Sequence, residues 1–252
     1  SAIASDFDFV QMDDLSNEQA VSLVERHIVS PEFIANAKGR GFLISKDERI
    51  SIMVNEEDHV RIQVLHEGLA LSEAAEMADR IDTLLNESLR FAFDSELGYL
   101  TQCPTNLGTG LRASVVLHLP GFVYTRNINN IINISQQLGL SLRALYGDDK
   151  EVVGNLFQVS NQLTLGFSEE EIIDNLKSAV TEIIAHERRA RKALSLYMKE
   201  HLEDGIWRAY GTLRYARLLT EKEVLTLFSK VRLGIDMCLI KEISADCYPE
   251  IL

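Results

Sequence analysis

The sequence predicts an α+β fold in which strands and helices alternate and at least some strands pair antiparallel. With 252 residues and an apolar fraction of 46%, the chain is long enough to bury a substantial core. Near its start, two apolar runs, "GFLIS" and "ISIMV", are joined by the polar run "KDER", which is typical of a β-hairpin. Such a hairpin favours antiparallel or mixed pairing over a doubly wound parallel sheet.

The first forty residues are predicted to form a short amphipathic helix and a connection. Val21, Val24 and Ile28 recur at helical spacing, and Ser16 is a candidate N-cap. The stretch "SPEF" is expected to interrupt this pattern. We therefore expect residues 1–38 to be the remnant of a small helical N-terminal domain with its linker, and residues 39–252 to form the main domain.

The middle of the chain alternates between the two kinds of periodicity. A helix is predicted over 72–93 with an apolar side of Ala75, Met77, Ile81, Leu84 and Leu85. Strands are predicted at "GYL", "ASVVLHL", "LRALY" and "NLFQVSNQLTLG". A helix between the second and third of these is expected to end at Gly139.

The last third of the sequence is predicted to be helical. Ser168 and Glu171 match a capping box that opens a long helix. Its predicted buried stripe consists of Ile172, Leu176, Val180, Ile183 and Ile184. Two further helices are expected between residues 202 and 236.

Composition excludes several classes of protein. The formal net charge of −13 argues against direct binding of nucleic acid. Apolar runs of the roughly 20 residues that cross a bilayer do not occur, so no membrane association is expected, and a cytoplasmic location is the default. Three widely spaced cysteines without a CxxC pair suggest neither a zinc site nor a disulfide framework.

Two short stretches carry the residues of a candidate site. "NEEDHVRIQ" contains three consecutive acids, which could bind Mg²⁺ through water, grip a cationic substrate or form a charged turn. In a strand, Glu57 would share a face with Asn55 and His59. "GYLTQCPTNLGTGLRASVVLHLP" places Cys103 in a loop before a glycine-rich turn, where it is either a reactive thiol or an inert packing residue.

Three arginines lie at predicted strand edges or loops: Arg61, Arg112 and Arg143. The planar guanidinium group donates two hydrogen bonds at once to phosphate oxygens, so three converging arginines could clamp a polyphosphate. The sequence has no GxxxxGK[ST] motif, which excludes a P-loop. Each arginine could also be an ordinary surface or ion-pair residue.

The two stretches closely resemble the signature segments of the ATP:guanido phosphotransferases, the family of creatine and arginine kinases. Further cues, "ERHIVSPEF", "YGDDKEVVGNLFQVSNQLTLGFSEEEII" and "VRLGID", make the chain most similar to the bacterial protein-arginine kinases. The resemblance covers nearly the whole chain. It implies a guanido kinase catalytic domain over 39–252, with a large, mostly antiparallel sheet of the glutamine synthetase-like type flanked by helices.

The resemblance also implies the roles of individual residues, with ATP and Mg²⁺ as cofactors. Arg61, Arg112 and Arg143 match the phosphate-binding arginines. Glu57 matches a catalytic carboxylate that grips the guanidinium group, and Cys103 matches the cysteine beside the substrate nitrogen. Glu56 matches an acid near the magnesium ion, contacting it through water.

Three departures from the family pattern bear on activity. The second substrate carboxylate of the family is a glutamate in a "YGEG"-like loop, and Asp148 takes its place in "YGDDKE". The family's "SSRIRLAR"-type segment, with two more arginines, is absent from the sequence. The C-terminal extension of the bacterial protein kinases is also expected to be missing.

The resulting prediction is a protein-arginine kinase that phosphorylates exposed arginines of protein substrates in stress response and protein quality control. An activator protein and a homodimer are expected partners. One alternative is a degenerate, non-catalytic module that binds nucleotide or phosphoarginine, favoured by Asp148 and the missing arginines. A second alternative is a phosphagen kinase acting on a small guanidine.

Overall fold

The computed structural model describes residues 6–148 and 151–243, without the side chains of Asp148 and Glu151. The chain divides into two compact units. The first unit consists of Ser1–Leu111 with Thr164–Ile173, and the second of Arg112–Leu163 with Asp174–Leu252.

A four-stranded antiparallel sheet in the order β1-β2-β3-β4 forms the centre of the first unit. Its strands are β1 (Phe7–Gln11), β2 (Gly41–Ser45), β3 (Ile50–Val54) and β4 (Val60–Val64). The predicted hairpin is confirmed as β2 and β3, with Leu43 opposite Ile52. The sequence did not predict β1, which pairs with β2 and so brings residues 7–11 into the sheet.

One face of this sheet carries the core of the first unit. The register aligns Val10, Phe42 and Met53 across three strands. Phe42 and Met53 are fully buried, and they pack with Phe33 and Ile28 from the helical segment that covers this face. Alternation of side chains along each strand explains why a one-residue shift in register would expose this core.

Two short helices, α1 (Asn17–Glu25) and α2 (Pro31–Ala35), supply that covering segment. Ser16 caps α1 as predicted, because its hydroxyl accepts from Gln19 N and the Gln19 side chain accepts from Ser16 N. The predicted interruption is present, since α1 ends at Glu25, and Pro31 within "SPEF" then begins α2. Ser30 caps this helix, and Pro31 stands at its first turn, where a missing N–H costs nothing.

The next helix, α3 (Leu71–Asn86), contacts β4 and ends seven residues earlier than the sequence predicts. Ile81 is buried as expected, whereas Met77 and Leu84 are 38% and 41% exposed. A minimal antiparallel pair, β5 (Phe93–Asp94) and β6 (Gly98–Tyr99), follows it.

A three-stranded antiparallel sheet in the order β7-β11-β8 lies in the second unit. Its strands are β7 (Ser114–His118), β8 (Leu140–Ala144) and β11 (Leu156–Asn161). Leu117, Phe157 and Val159 are buried on one face of this sheet. A minimal pair, β9 (Gly147–Asp148) and β10 (Glu151–Val152), is inserted between β8 and β11.

The helix predicted between β7 and β8 is two helices, α4 (Pro120–Tyr124) and α5 (Ile128–Gln137). Arg126 interrupts them because its φ of 58° is left-handed and cannot continue an α-helix. Gly139, with φ of 73°, ends the segment as predicted.

The long helix α6 (Glu169–Tyr197) opens with the predicted capping box, since Ser168 N donates to Glu171 and Glu171 N donates to Ser168. The predicted stripe is confirmed at Ile172, Leu176, Val180 and Ile183, which are buried. Two more helices follow, α7 (Lys199–Tyr215) and α8 (Glu221–Asp236). They share a core with the end of α6 that includes Leu194, Ile206, Val231 and Leu233.

The predicted α+β class is confirmed. Every strand pair in the described residues is antiparallel, and helices account for most of the remaining ordered chain. Across 6–148 and 151–243, none of the helices combines the length and the apolar character that a membrane crossing requires.

Candidate active site

The acidic run lies in the tight loop that joins β3 to β4, not within a strand. Residues 55–59 are bends, and the loop is closed by Asn55 N, which donates to His59 O at 3.0 Å. Asn55 has a left-handed φ of 61°, and its side-chain amide donates to Gly39 O at 3.0 Å. Asparagine tolerates this conformation better than most residues. The expectation that Glu57 shares a strand face with Asn55 and His59 is therefore wrong.

Glu56 is the first of the three acids, and its side chain is enclosed, with 6% exposed. Its carboxylate accepts from Ser30 Oγ at 2.6 Å, from Glu57 N at 2.8 Å and from Arg61 Nη1 at 3.3 Å. Burial raises the pKa of Glu56, but these hydrogen bonds and the charges of Arg61 and Arg40 outweigh it, so the pKa lies below its ordinary value. Glu56 is therefore ionised and already engaged by protein donors.

Glu57 presents the opposite situation. It is exposed, and within the described residues its carboxylate has no hydrogen-bond or ion-pair partner. Its backbone N–H is held by Glu56 at 2.8 Å, which fixes the main chain from which the carboxylate projects. This arrangement leaves the Glu57 carboxylate available to a cationic substrate.

Cys103 lies in the loop that follows β6, and it precedes a 3₁₀-helical turn at Pro104–Asn106. The thiol is half-buried and lies 3.0 Å from Thr105 Oγ1. Thr101 Oγ1 donates to Cys103 O at 2.7 Å, and Asn106 N donates to the same carbonyl at 3.0 Å. Cys103 thus lies in a constrained loop, as predicted.

Thr164 fixes the glycine-rich end of this loop. Its buried hydroxyl contacts Thr105 O at 2.9 Å and Leu107 O at 2.7 Å. Gly108 has φ of 109°, and a Cβ at this position would lie 2.4 Å from Thr164 O. Only glycine combines this backbone conformation with so close an approach. The second glycine of the motif, Gly110, also has a left-handed φ, of 62°.

Asp58 brings the acidic loop and the cysteine loop together. Its Oδ1 accepts from Gln102 N at 2.7 Å, and its Oδ2 accepts from Asn106 Nδ2 at 3.1 Å. The amino-acid sequence does not reveal this role, because the partners are 44 and 48 residues away and no local pattern indicates the contact. Glu57 directly precedes Asp58, and Cys103 directly follows Gln102, so each lies next to a residue of this bridge.

The three predicted phosphate-binding arginines are divided between the units. Arg61 lies on β4 of the first unit, opposite Met53, and forms the ion pair with Glu56. Arg143 lies on β8 of the second unit, opposite Gln158. Arg112 precedes Ala113, whose N–H donates to Asn161 Oδ1 at 2.8 Å and so anchors the start of β7.

Arg112 and Arg143 are exposed, and within the described residues neither forms a hydrogen bond or ion pair. Asp148 belongs to β9 by its backbone, and its side chain lies outside the described part of the structure. The grouping of Arg112, Arg143 and Asp148 with the residues of the first unit therefore stays a prediction.

The sequence matches two family descriptions along its length. Residues 1–190 match the ATP:guanido phosphotransferase C-terminal catalytic domain, and residues 199–252 match the protein-arginine kinase McsB C-terminal domain. The chain belongs to the ATP:guanido phosphotransferases. The second match corrects the expectation that the C-terminal extension is missing, because α7 and α8 lie within it. The predicted domain division at residue 38 stays a prediction.

Curated relatives of this phosphotransferase include protein-arginine kinases. A protein-arginine kinase of Desulforamulus reducens is 49% identical over 96% of the chain and 68% of its own length. A protein-arginine kinase of Bacillus mycoides is 49% identical over 98% of the chain and 70% of its own length.

Solved structures of guanido kinases share the fold. The duplicated taurocyamine kinase of Schistosoma mansoni, bound to components of a transition-state analogue, superposes with a TM-score of 0.64 and 27% identity, over 79% of this chain and 30% of that one. A lombricine kinase superposes with a TM-score of 0.58 and 25% identity, over 72% of this chain and 54% of that one. The superposed part of the chain thus corresponds to less than a third of the taurocyamine kinase and to about half of the lombricine kinase.

Proposed function

We propose that this phosphotransferase transfers the γ-phosphoryl group of ATP to arginine side chains of proteins. The 49% identity to curated protein-arginine kinases over nearly the whole chain carries the proposal. The match to the C-terminal domain of that kinase supports a protein acceptor over a small guanidine. The taurocyamine and lombricine kinases are more distant, at 27% and 25% identity.

In the proposed reaction, a guanidino nitrogen forms a bond to the γ-phosphorus while the bond from phosphorus to the bridging oxygen breaks. ADP leaves with the electron pair of that bond. Such a transfer depends on alignment and charge neutralisation more than on covalent help. Mg²⁺ bound with the nucleotide would neutralise charge on the phosphates. Arg61, Arg112 and Arg143 are proposed to contact the phosphate oxygens from the protein side.

Glu57 is proposed to orient the acceptor. An arginine side chain ordinarily has a pKa above about 12 and a glutamate about 4, so complete proton transfer before reaction would cost about 11 kcal/mol. The proton is therefore expected to reach the carboxylate as the N–P bond forms. Asp148 is proposed to hold the guanidinium group from the other side, and the Cys103 sulfur to lie beside the reacting nitrogen.

The ion pair with Arg61 limits what Glu56 does. Its carboxylate already receives three protein donors, so we propose that it contacts the nucleotide's Mg²⁺ only through water. Among the described residues, no group of three metal-binding side chains forms a separate metal site. A cytoplasmic location, a homodimer and an activator protein remain part of the proposal.

The test is incubation with γ-labelled ATP and an arginine-rich protein. Acid-labile label on the protein supports the proposal, provided that it is lost in Cys103→Ala and in Glu57→Gln, for which we expect a fall of about 100-fold or more. Cys238→Ala is the matched control, since this exposed cysteine lies just after α8. It should retain the wild-type rate.

Asp148 favours one competing function, a degenerate module that binds without catalysis. A misplacement of about 1 Å can cost on the order of 100-fold in rate, and aspartate is one methylene shorter than the family's glutamate. Nucleotide binding without transfer, and recovery of transfer in Asp148→Glu, would identify this outcome. Turnover of free arginine with no label on protein would instead indicate a small-guanidine kinase.

A further inference from the structure

We propose that Asp58 is a positioning residue that sets the relative placement of Glu57 and Cys103, an inference that rests on the proposed phosphoryl transfer. Its carboxylate does not project freely like that of Glu57. Instead, it accepts hydrogen bonds from Gln102 N at 2.7 Å and from Asn106 Nδ2 at 3.1 Å.

These two contacts lie on either side of the thiol. Gln102 immediately precedes Cys103, and Asn106 closes the turn that starts at Cys103, because Asn106 N donates to Cys103 O at 3.0 Å. One carboxylate therefore holds the five-residue segment 102–106 at both of its ends. A displacement of Asp58 would move Cys103 with respect to the acidic loop.

The remaining anchors fix each loop separately but do not join them. Thr164 holds Thr105 O and Leu107 O. Asn55 closes the acidic loop on itself through His59 O at 3.0 Å. Within the described residues of the first unit, Asp58 forms the side-chain hydrogen bonds that connect residues 55–59 to residues 101–107.

A positioning role predicts a specific kinetic effect. Phosphoryl transfer is sensitive to a misplacement of about 1 Å between the reacting groups, so loosening this bridge should lower kcat. Because neither Gln102 nor Asn106 is proposed to bind nucleotide, KM for ATP should change by less than about threefold.

The experiment uses a pair of reciprocal substitutions in the intact protein. In Asp58→Asn, the new amide still accepts from Gln102 N, but its NH2 group faces the NH2 group of Asn106. The second bond therefore survives only if the Asn106 amide turns over, and it is then a weaker contact between neutral groups in place of a charge-assisted one. We expect kcat to fall on the order of 100-fold. Asn106→Asp in the same protein restores a donor–acceptor pair with the roles exchanged, and it should recover at least about tenfold in kcat.

A second readout does not depend on activity. Without nucleotide, the alkylation of Cys103 by iodoacetamide, followed on its own peptide by mass spectrometry, should be at least about threefold faster in Asp58→Asn, because the loop opens more often. The doubly substituted protein should return toward the wild-type rate. If the wild-type protein transfers no phosphoryl group, the proposed function fails, and this readout still tests the bridge.

Asp47→Asn is the matched control. Asp47 also holds a turn of the same sheet through two hydrogen bonds, from Ser45 Oγ at 2.6 Å and Arg49 N at 3.2 Å. It should lose stability without changing kcat or Cys103 alkylation. The inference is overturned if Asp58→Asn keeps the wild-type value in either readout, if the paired variant is no better than Asp58→Asn, or if Asp47→Asn has the same effect.

Discussion

In the first unit, carboxylates of one loop hold the backbone and side chains that surround the candidate site, whereas in the second unit a buried carboxylate holds helices together. Glu56 and Asp58 lie on either side of exposed Glu57, and both residues are partly buried. Glu187, with 4% of its side chain exposed, accepts instead from Gly121 N at 2.7 Å, Phe122 N at 3.0 Å and Arg191 Nε at 2.6 Å.

The buried network extends from α6 to α8. Arg191 also donates to Asp236 at 2.8 Å and to His118 O at 2.9 Å. His118 Nε2 lies 2.8 Å from Ser229 Oγ, which also accepts from Asn155 Nδ2 at 2.7 Å. Through Ser229, these contacts join residues of the segment that matches the catalytic domain to the segment that matches the C-terminal domain. The comparison teaches that similar residue types place loops in one unit and hold helices together in the other, according to which groups donate to the carboxylate.

The largest expected loss of stability comes from breaking this buried network. Arg191→Met would leave Glu187 buried without its cationic partner, and we expect the free energy of unfolding to fall by about 3–5 kcal/mol. Urea denaturation measures the change.

The matched control is Arg208→Met, which removes an i,i+4 pair with Asp204 whose side chains are 78% and 62% exposed. That loss should be below about 1 kcal/mol. Equal losses of unfolding free energy in Arg191→Met and Arg208→Met would contradict the expectation that the buried ion pair contributes more than the exposed one.

A smaller effect should follow from acidification. Burial and the charges of Arg191 and Arg232 lower the pKa of His118 to about 3. Between this value and the ordinary pKa of about 6.5, the unfolded chain binds more protons than the folded chain, so stability rises with pH and is lost as pH falls. Lowering the pH from 6.5 to 4.5 should remove roughly 2 kcal/mol through His118.

Urea denaturation of His118→Gln at both pH values isolates this contribution, because glutamine does not titrate. The dependence on pH should be smaller than in the wild type by about that amount. His201→Gln, at an exposed position of α7, is the matched histidine substitution outside the buried network. A wild-type slope in His118→Gln would show that other groups dominate the acid response.

The sequence could predict the elements that depend on local patterns. The hairpin of β2 and β3, the caps at Ser16 and Ser168 and the buried stripe of α6 all follow from spacing within a few residues. It did not reveal β1, since residues 7–11 become a strand only by pairing with residues 41–45. It also missed the break at Arg126, where no glycine or proline indicates the left-handed turn.

In the candidate site, too, some residues could be identified from the sequence and others only from the folded chain. The residue types of "NEEDHVRIQ" and "CPTNLGTGLRAS" identified Glu57, Cys103 and the arginines through their resemblance to a family. The positions that hold these residues, Asp58, Ser30 and Thr164, act through partners 26 to 59 residues away. No periodicity records such a contact, and so only the folded chain reveals it.

The smallest expected effect returns to the first unit. Ser30→Ala removes the N-cap of α2, since Ser30 Oγ accepts from Phe33 N at 3.1 Å, and it removes the hydrogen bond to Glu56 at 2.6 Å. We expect a loss of about 1.5–2 kcal/mol in the free energy of unfolding, about 1 of it from the cap. Ser16→Ala removes a comparable cap together with a hydrogen bond to the exposed Glu18 at 2.8 Å. The difference between the two variants therefore measures how much more the bond to the enclosed Glu56 contributes than a bond to an exposed carboxylate.

The two variants should also differ with pH. The pKa of Glu56 is lowered in the folded chain, so its contribution is present above the unfolded value of 4.5 and is lost as pH falls below it. Removing Ser30 Oγ takes away the leading favourable hydrogen bond, and the excess loss of Ser30→Ala over Ser16→Ala should shrink at acid pH. An excess that is constant from pH 7 to about pH 3 would mean that Ser30 acts only as a cap. The carboxylate beside Arg61 would then be held by the loop backbone and the arginine alone.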